Sequence, residues 1–495
     1  MGLPSYLYDV QCQIRDHAAA YGLDFYETVF EMVDYEQMNE IASYLGFPTR
    51  YPHWRFGMEY ERMSKSYSWG LQKIYELVIN NDPCYAYLLE GNSTVEQKMV
   101  MAHVYGHCDF FKNNAWFSHT NRKMMDEMAN HAARIRSYIE RYGLDEVESF
   151  LDVCLSIDNL IDIHSPFIRR QRDRQDEDTN YVRPEPKKIQ SKSYLDKYVN
   201  PADFMEKERQ KIEAQRQKAR RVPEDPEKDV LAFLIDHAPL KKWQRNVLSM
   251  VREEAYYFAP QGQTKIMNEG WASYWHSIMM TTRVLDTSEI FDYANTHAGS
   301  MVMSPTSINP YKIGIELFRD IEDRWNKGRF GKEWDECDDM AEKSQWNRNL
   351  GLGRQKVFEV RKIYNDVSFI DTFLTPEFCW ANKMFTYEYN TKSGQFEIFS
   401  RDFKLIKEKL LFQLTNHGQP FIYVEDSNHA NRGELLLWHK HEGTDLHKGY
   451  GQDVLGNIQK VWQRPVHIRT IVGGKPRVWS HDGTDFKESA WSQQV

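Results

Sequence analysis

The chain has 495 residues and a formal charge of −9, a length beyond what one compact core organises and a sign that disfavours nucleic acid as a partner. Hydrophobic residues make up 41% and aromatics 14%, enough for a sizeable core, yet no stretch approaches the roughly 20 uninterrupted apolar residues of a membrane span. With no secretory leader pattern and six scattered cysteines lacking any C-x-x-C pair, a cytoplasmic protein with reduced thiols is expected.

Residues 1–165 read as successive helices, among them 58–78 and 95–111, punctuated by Pro, Gly and Asn. Thr94 is placed to cap the second of these, with Gln97 reaching back three residues later. From 169 to 228 the chain becomes dense in Arg, Lys, Glu, Asp and Gln. This reads as an exposed insertion, with a charged helix over 204–221 and a docking role toward a protein partner. Helical pattern returns from 230 to 361, interrupted at Pro260, around Met303 to Pro305, and at Asn309-Pro310. Beyond 365 come short β-rich runs at 396–399, 420–424, 434–438 and 466–472, with helices expected at 403–413 and 451–461. The expected fold is a mainly α-helical N-terminal domain over 1–365 and a small α+β C-terminal domain over 366–495 with an antiparallel sheet.

Chemistry concentrates in two segments. His103 and His107 stand four apart in Met101 to Asn114, so on a helix their rings lie about 40° apart around the axis and one turn apart along it. That spacing suits a divalent metal, zinc above all, and equally suits two hydrogen-bonded core histidines. The usual zinc-peptidase helix carries Glu directly after its first histidine, where this chain has Val104. Hydrolysis would therefore need its base elsewhere. Glu269, opening the run Glu269-Gly270-Trp271-Ala272-Ser273-Tyr274, is the candidate third ligand, since some zinc peptidases use a similar E-G-W-A-x-Y helix. Its bland reading is a dipole-favoured acid on an aromatic helix. His276, seven residues on and on the same face, fits a ligand, a ligand-orienting group or a general acid or base, and also a plain helix-face histidine. His297 fits a proton-transfer role or an exposed loop histidine.

Four motifs in order resemble the stage V sporulation protein R family: Tyr51 to Gly57, Ala102 to Asn114, Asn268 to His276, and Ile308 to Tyr311. The resemblance runs across nearly the whole chain. It implies a part in bacterial spore formation, specifically in building the peptidoglycan cortex, with relatives in bacteria that form no spores. Joined to the residue pattern, it frames a metal-dependent hydrolase of amide bonds acting on a peptidoglycan precursor or peptide. The competing expectation is a non-enzymatic assembly or regulatory protein whose polar cluster only ties helices together.

Overall fold

The computed structural model describes residues 2–68, 76–168, 199, 201–219, 222–304 and 307–491. The fold is mainly helical through its N-terminal part, with an antiparallel-dominated sheet near the C-terminus. Contacts gather the chain into two compact units, each built from two chain segments: Met1–Leu144 with Tyr256–Gly418, and Asp145–Ala255 with Gln419–Val495. A linear reading of the sequence does not bring out that interleaving. Of the charged segment at 169–228, residues 169–198, 200, 220 and 221 lie outside the described residues. A helix forms within it over Ala202–Ala219.

In the first unit, strands β1 (Thr28–Val33), β2 (Glu76–Ile79) and β3 (Cys84–Leu89) form a sheet of order β1-β3-β2. β1 runs parallel to β3 and β2 antiparallel to it. The helix expected over 58–78 is thus divided: a helix spans Trp54–Ser68, and Leu77-Val78-Ile79 pairs with Tyr85 to Tyr87 as strand. Three consecutive large aliphatic residues, two of them β-branched, favour the pleated surface over a helix face. The core packs the helices Ser5–Ala20, Thr94–Asn113, Lys265–Met279, Pro310–Lys327 and Gly353–Ile363 around wholly buried Trp271, Trp275, Tyr105 and Phe318. Each such side chain contributes about 1.5–3 kcal/mol of burial free energy. Strands β4 (Thr386–Asn390) and β5 (Gln395–Ser400) pair as a separate ribbon.

In the second unit, β6 (Phe421–His429), β7 (Glu434–Lys440), β8 (Val466–Val472), β9 (Lys475–His481) and β10 (Phe486–Ala490) form a sheet of order β10-β9-β8-β7-β6. Only β7 and β8 are parallel, joined by the crossover helix Lys448–Trp462. A parallel pair needs such a crossover, whereas the antiparallel neighbours use short turns.

Candidate metal centre

Two helices of the first unit carry the centre, and their closeness is written in small residues. On the histidine helix, Thr94–Asn113, a Cβ added at Gly106 would sit 2.7 Å from the Ala272 Cα; one at Gly270 would overlap the Gly314 backbone. Only glycine lets the Lys265–Met279 helix lie this near both neighbours. The capping box of the histidine helix uses Ser93 and Glu96, one residue ahead of the Thr94 and Gln97 pairing expected from sequence. The Ser93 hydroxyl accepts from the Glu96 amide, and the Glu96 carboxylate accepts from the Ser93 amide. The second helix has no capping side chain at Thr264. Buried Asp366 takes that role, accepting from the Ile266 and Met267 amides at 2.8 and 2.9 Å. A further cross-link runs from the Trp271 indole N–H to Asp109 at 2.8 Å, with the Arg361 guanidinium beside the same carboxylate.

His103, His107, Glu269 and Glu76 converge from these helices and from β2. Nε2 of His103 and Nε2 of His107 each stand 3.4 Å from Glu269 Oε2. His103 Nε2 is also 3.6 Å from Glu76 Oε1. The donor atoms of Glu76, His103 and His107 all lie within 4.8 Å of one another. Two ligands on a tetrahedral zinc, with bonds of about 2.0–2.1 Å, stand about 3.3 Å apart, so most of these spacings are close to tetrahedral edges. The rings are fixed from behind. His107 Nδ1 is 2.9 Å from Asn268 Oδ1, which accepts only, so that nitrogen carries a proton; Nε2 then donates to Glu269 in the protonated ring and offers a lone pair to a cation in the neutral one. His103 Nδ1 meets His276 Nδ1 at 3.0 Å, and His276 Nε2 meets His297 Nδ1 at 3.1 Å. A proton on each donor nitrogen in turn gives one consistent chain: His103 Nδ1–H to His276, and His276 Nε2–H to His297. Tyr311 stacks on His103 at 6.1 Å and hydrogen-bonds to Glu269.

Electrostatics at this cluster are those of a site short of positive charge. Burial pushes the Glu76 carboxyl up to about 8, helped by the negative Glu269 and opposed by His107. Burial opposes ionisation of Glu269 too, yet the His103 and His107 hydrogen bonds outweigh it and hold that carboxylate well below its usual range. His103 falls to about 4 through burial and the neighbouring His107. Burial also works against protonation of His107, but Glu269, Glu76 and Asn268 raise it overall. His276 is driven far down by burial and by His103 and His297. Oε2 of Glu76 and Oγ of Ser273, one turn after Glu269, are buried without a hydrogen-bond partner. An unsatisfied carboxylate oxygen of Glu76, whose other oxygen stands 3.6 Å from His103 Nε2, is what a bound cation or its water would satisfy.

All five residues singled out from sequence lie in this cluster: His103, His107 and Glu269 face one another, and His276 and His297 form the ring chain behind His103. Sequence reasoning missed Glu76, because 58–78 was read as one helix. It also missed Asn268 and Tyr311, although both sit inside motifs already noted. In Ile308 to Tyr311, Asn309 caps the helix Pro310–Lys327 by accepting from the Lys312 amide, and Tyr311 is thereby delivered to the centre. At the end of the histidine helix, Lys112 is paired with Asp24 at 2.5 Å and lies over the Tyr26 ring. Asn113 and Asn114 complete this anchoring of the helix end by donating to carbonyls of Asp24, Arg361 and Tyr364.

A family model described as "SpoVR like protein" matches residues 4–419. "Uncharacterized protein YcgB" of Escherichia coli (strain K12) is 30% identical over 475 residues, spanning 90% of this chain and 88% of that protein. No solved structure matches. Among the described residues, no helix is long and apolar enough to cross a membrane.

Proposed function

This chain belongs to the SpoVR family, a membership that suggests a sporulation-associated role, and we propose that it is a metal-dependent hydrolase of amide bonds. Its centre is His103, His107 and Glu269 with Glu76, and zinc is the proposed ion. The observation that carries this reading is the convergence of two imidazole Nε2 atoms on Glu269 at 3.4 Å, with Glu76 Oε1 3.6 Å from the same Nε2 of His103. A divalent cation there would displace the protons that Glu76 and His107 hold in its absence and would balance the two carboxylates.

A zinc-class ion there supplies Lewis acidity toward a carbonyl oxygen and makes water a stronger acid. The chain's own residues do the rest. Asn268 and His276 fix the tautomers and ring planes of His107 and His103. Glu76 provides, from β2, the carboxylate that Val104 denies to the histidine helix. With its proton displaced by a bound cation, its unpartnered Oε2 would be the proton acceptor for water. The Tyr311 hydroxyl, raised by burial and by the two glutamates, stays protonated and donates to Glu269. His276 and His297 hold protons in line between His103 and the half-exposed surface of the helix Ile290–Ser300, a path for the proton a departing amine requires. We place the substrate among peptidoglycan precursors and short peptides, with spore-cortex formation as the process, on the support of family membership and of amide chemistry suited to such a centre.

A second reading has its own support. Four protein donors close a tetrahedron, and Glu269 is already held by two imidazoles; a closed centre is structural, and the protein then serves in assembly or regulation. The test incubates protein loaded with zinc, manganese or iron(II) with peptides and peptidoglycan fragments, following newly released amines. The hydrolase reading expects amine release with metal and none from the His103→Ala, His107→Ala variant. Metal-loaded protein that releases none across the panel contradicts it and leaves the structural centre.

A further inference from the structure

The motif Tyr51 to Gly57 takes no part in the metal centre. It lines a separate cleft of about 710 Å³ between the helices Tyr35–Ser43 and Trp54–Ser68, a size ordinary for small-ligand sites. One wall is aromatic: Tyr51 and Phe56 pack at 5.6 Å, and Tyr44 meets Phe56 edge-on at 5.6 Å. The other wall is acidic, with Asp34, Glu36 and Glu40, and no Lys or Arg among the described residues lines the cleft.

The acids divide in what the fold asks of them. Asp34 caps the Tyr35–Ser43 helix and Glu36 lies in its first turn, where the helix dipole favours negative charge. Glu40 has no such reason. It stands in the last turn, where the dipole opposes it, and four residues after Glu36, where like charges repel. Neither Glu36 nor Glu40 pairs with a cation among the described residues, and both are exposed. The aromatic wall already works with positive charge from within: the Arg50 guanidinium, 4% exposed, lies 4.9 Å from the Tyr51 centroid and 5.1 Å from that of Phe56. Among the described residues that line the cleft, the three carboxylates are the fixed charges, and they leave it negative. Rings to cover an aliphatic stem and carboxylates to meet its charged tip are the complement of one chemistry.

We propose that this cleft binds an alkylammonium group, with its aliphatic stem against Tyr44, Phe56 and Tyr60 and its charge at Glu36 and Glu40. The group has two sources, a free diamine or the lysine side chain of a peptide. Calorimetric titration of the full chain with 1,5-diaminopentane, with acetyl-lysine-methylamide and with neutral 1-pentanol separates them. The expected result is binding of at least one amine and not of pentanol, weakened about tenfold in a Glu36→Gln, Glu40→Gln variant, as two partly exposed ion pairs allow. Diamine alone names a free amine, and the lysine derivative a peptide. The two substitutions are on the surface and leave the fold intact, checked by an unchanged circular dichroism spectrum. Equal binding by variant and parent, equal binding of pentanol, or no heat with either amine at millimolar concentration overturns the proposal. None of these outcomes depends on metal at the distant histidines.

Discussion

At the scale of single residues, the centre is governed by which nitrogen of each histidine carries the proton. Asn268 settles this for His107. Removing an orienting partner of a ligating histidine costs about 10–100-fold in metal affinity. Asn268→Ala is therefore expected to fold normally and to lose metal to a competing chelator about 10–100-fold more readily; unchanged competition would show that His107 does not ligate. A second residue-scale expectation concerns the sheet of the second unit, remote in chain from these histidines. His439 is 4% exposed, bonded through Nδ1 to Thr470 at 2.8 Å, and lowered to about 4 by burial and by His441. Its folded value lies below the unfolded value, so its contribution to stability is present above about pH 6.5 and is lost as pH falls toward 4. Urea midpoints measured across that window should fall for the parent and fall less for His439→Asn. His103 with His107, and Glu269 with His276, were legible because helical spacing puts each pair on a shared face, helped for Glu269 by its E-G-W-A-x-Y run; His297, on another helix, had no such pattern behind it. Glu76 was not legible, because its position depends on pairing between β2 and β3, which no local pattern reveals.

At the scale of elements, close helix approach is the condition for the centre. Gly106 touches the Ala272 backbone, so an added Cβ has nothing flexible to displace and must move one helix off the other. Gly106→Ala is expected to keep its helical circular dichroism, to lower the melting temperature and to lose metal. Full retention of metal would mean that the two helices need not meet at this point. The elements read best from sequence were those with strong periodic patterns. The helix Phe403–Leu414 and strands β7 and β8 fall within a residue or two of their expected bounds. β9 and β10 were missed, since Lys475 to His481 and Phe486 to Ala490 mix polar residues with few apolar ones and are strands through pairing with β8 and with each other. Pro260 was expected to break a helix, yet it lies inside Lys242–Gln263, and the break comes at Thr264, whose hydroxyl donates to the Pro260 carbonyl. There the Thr264 hydroxyl takes the Pro260 carbonyl, the acceptor that the residue-264 amide would use in a continuing helix.

At the scale of the whole molecule, the proposed metal centre lies entirely within the unit made from Met1–Leu144 and Tyr256–Gly418. Its proposed ligands come from chain positions as far apart as Glu76 and Glu269, so an ion bound there would stabilise the folded state against an unfolded chain that cannot assemble the site. Addition of zinc to metal-depleted protein should raise the melting temperature, and a His103→Ala, His107→Ala variant should show no such rise; equal rises in both would place the zinc elsewhere. The measurement that bears most directly on the account is metal content by elemental mass spectrometry of natively purified protein, set beside the same folded double variant. The account expects near-stoichiometric zinc, or iron or manganese in its place, in the parent and its loss in the variant. Absence of metal from both would contradict it and leave the buried histidines and glutamates as a hydrogen-bonded tie between helices.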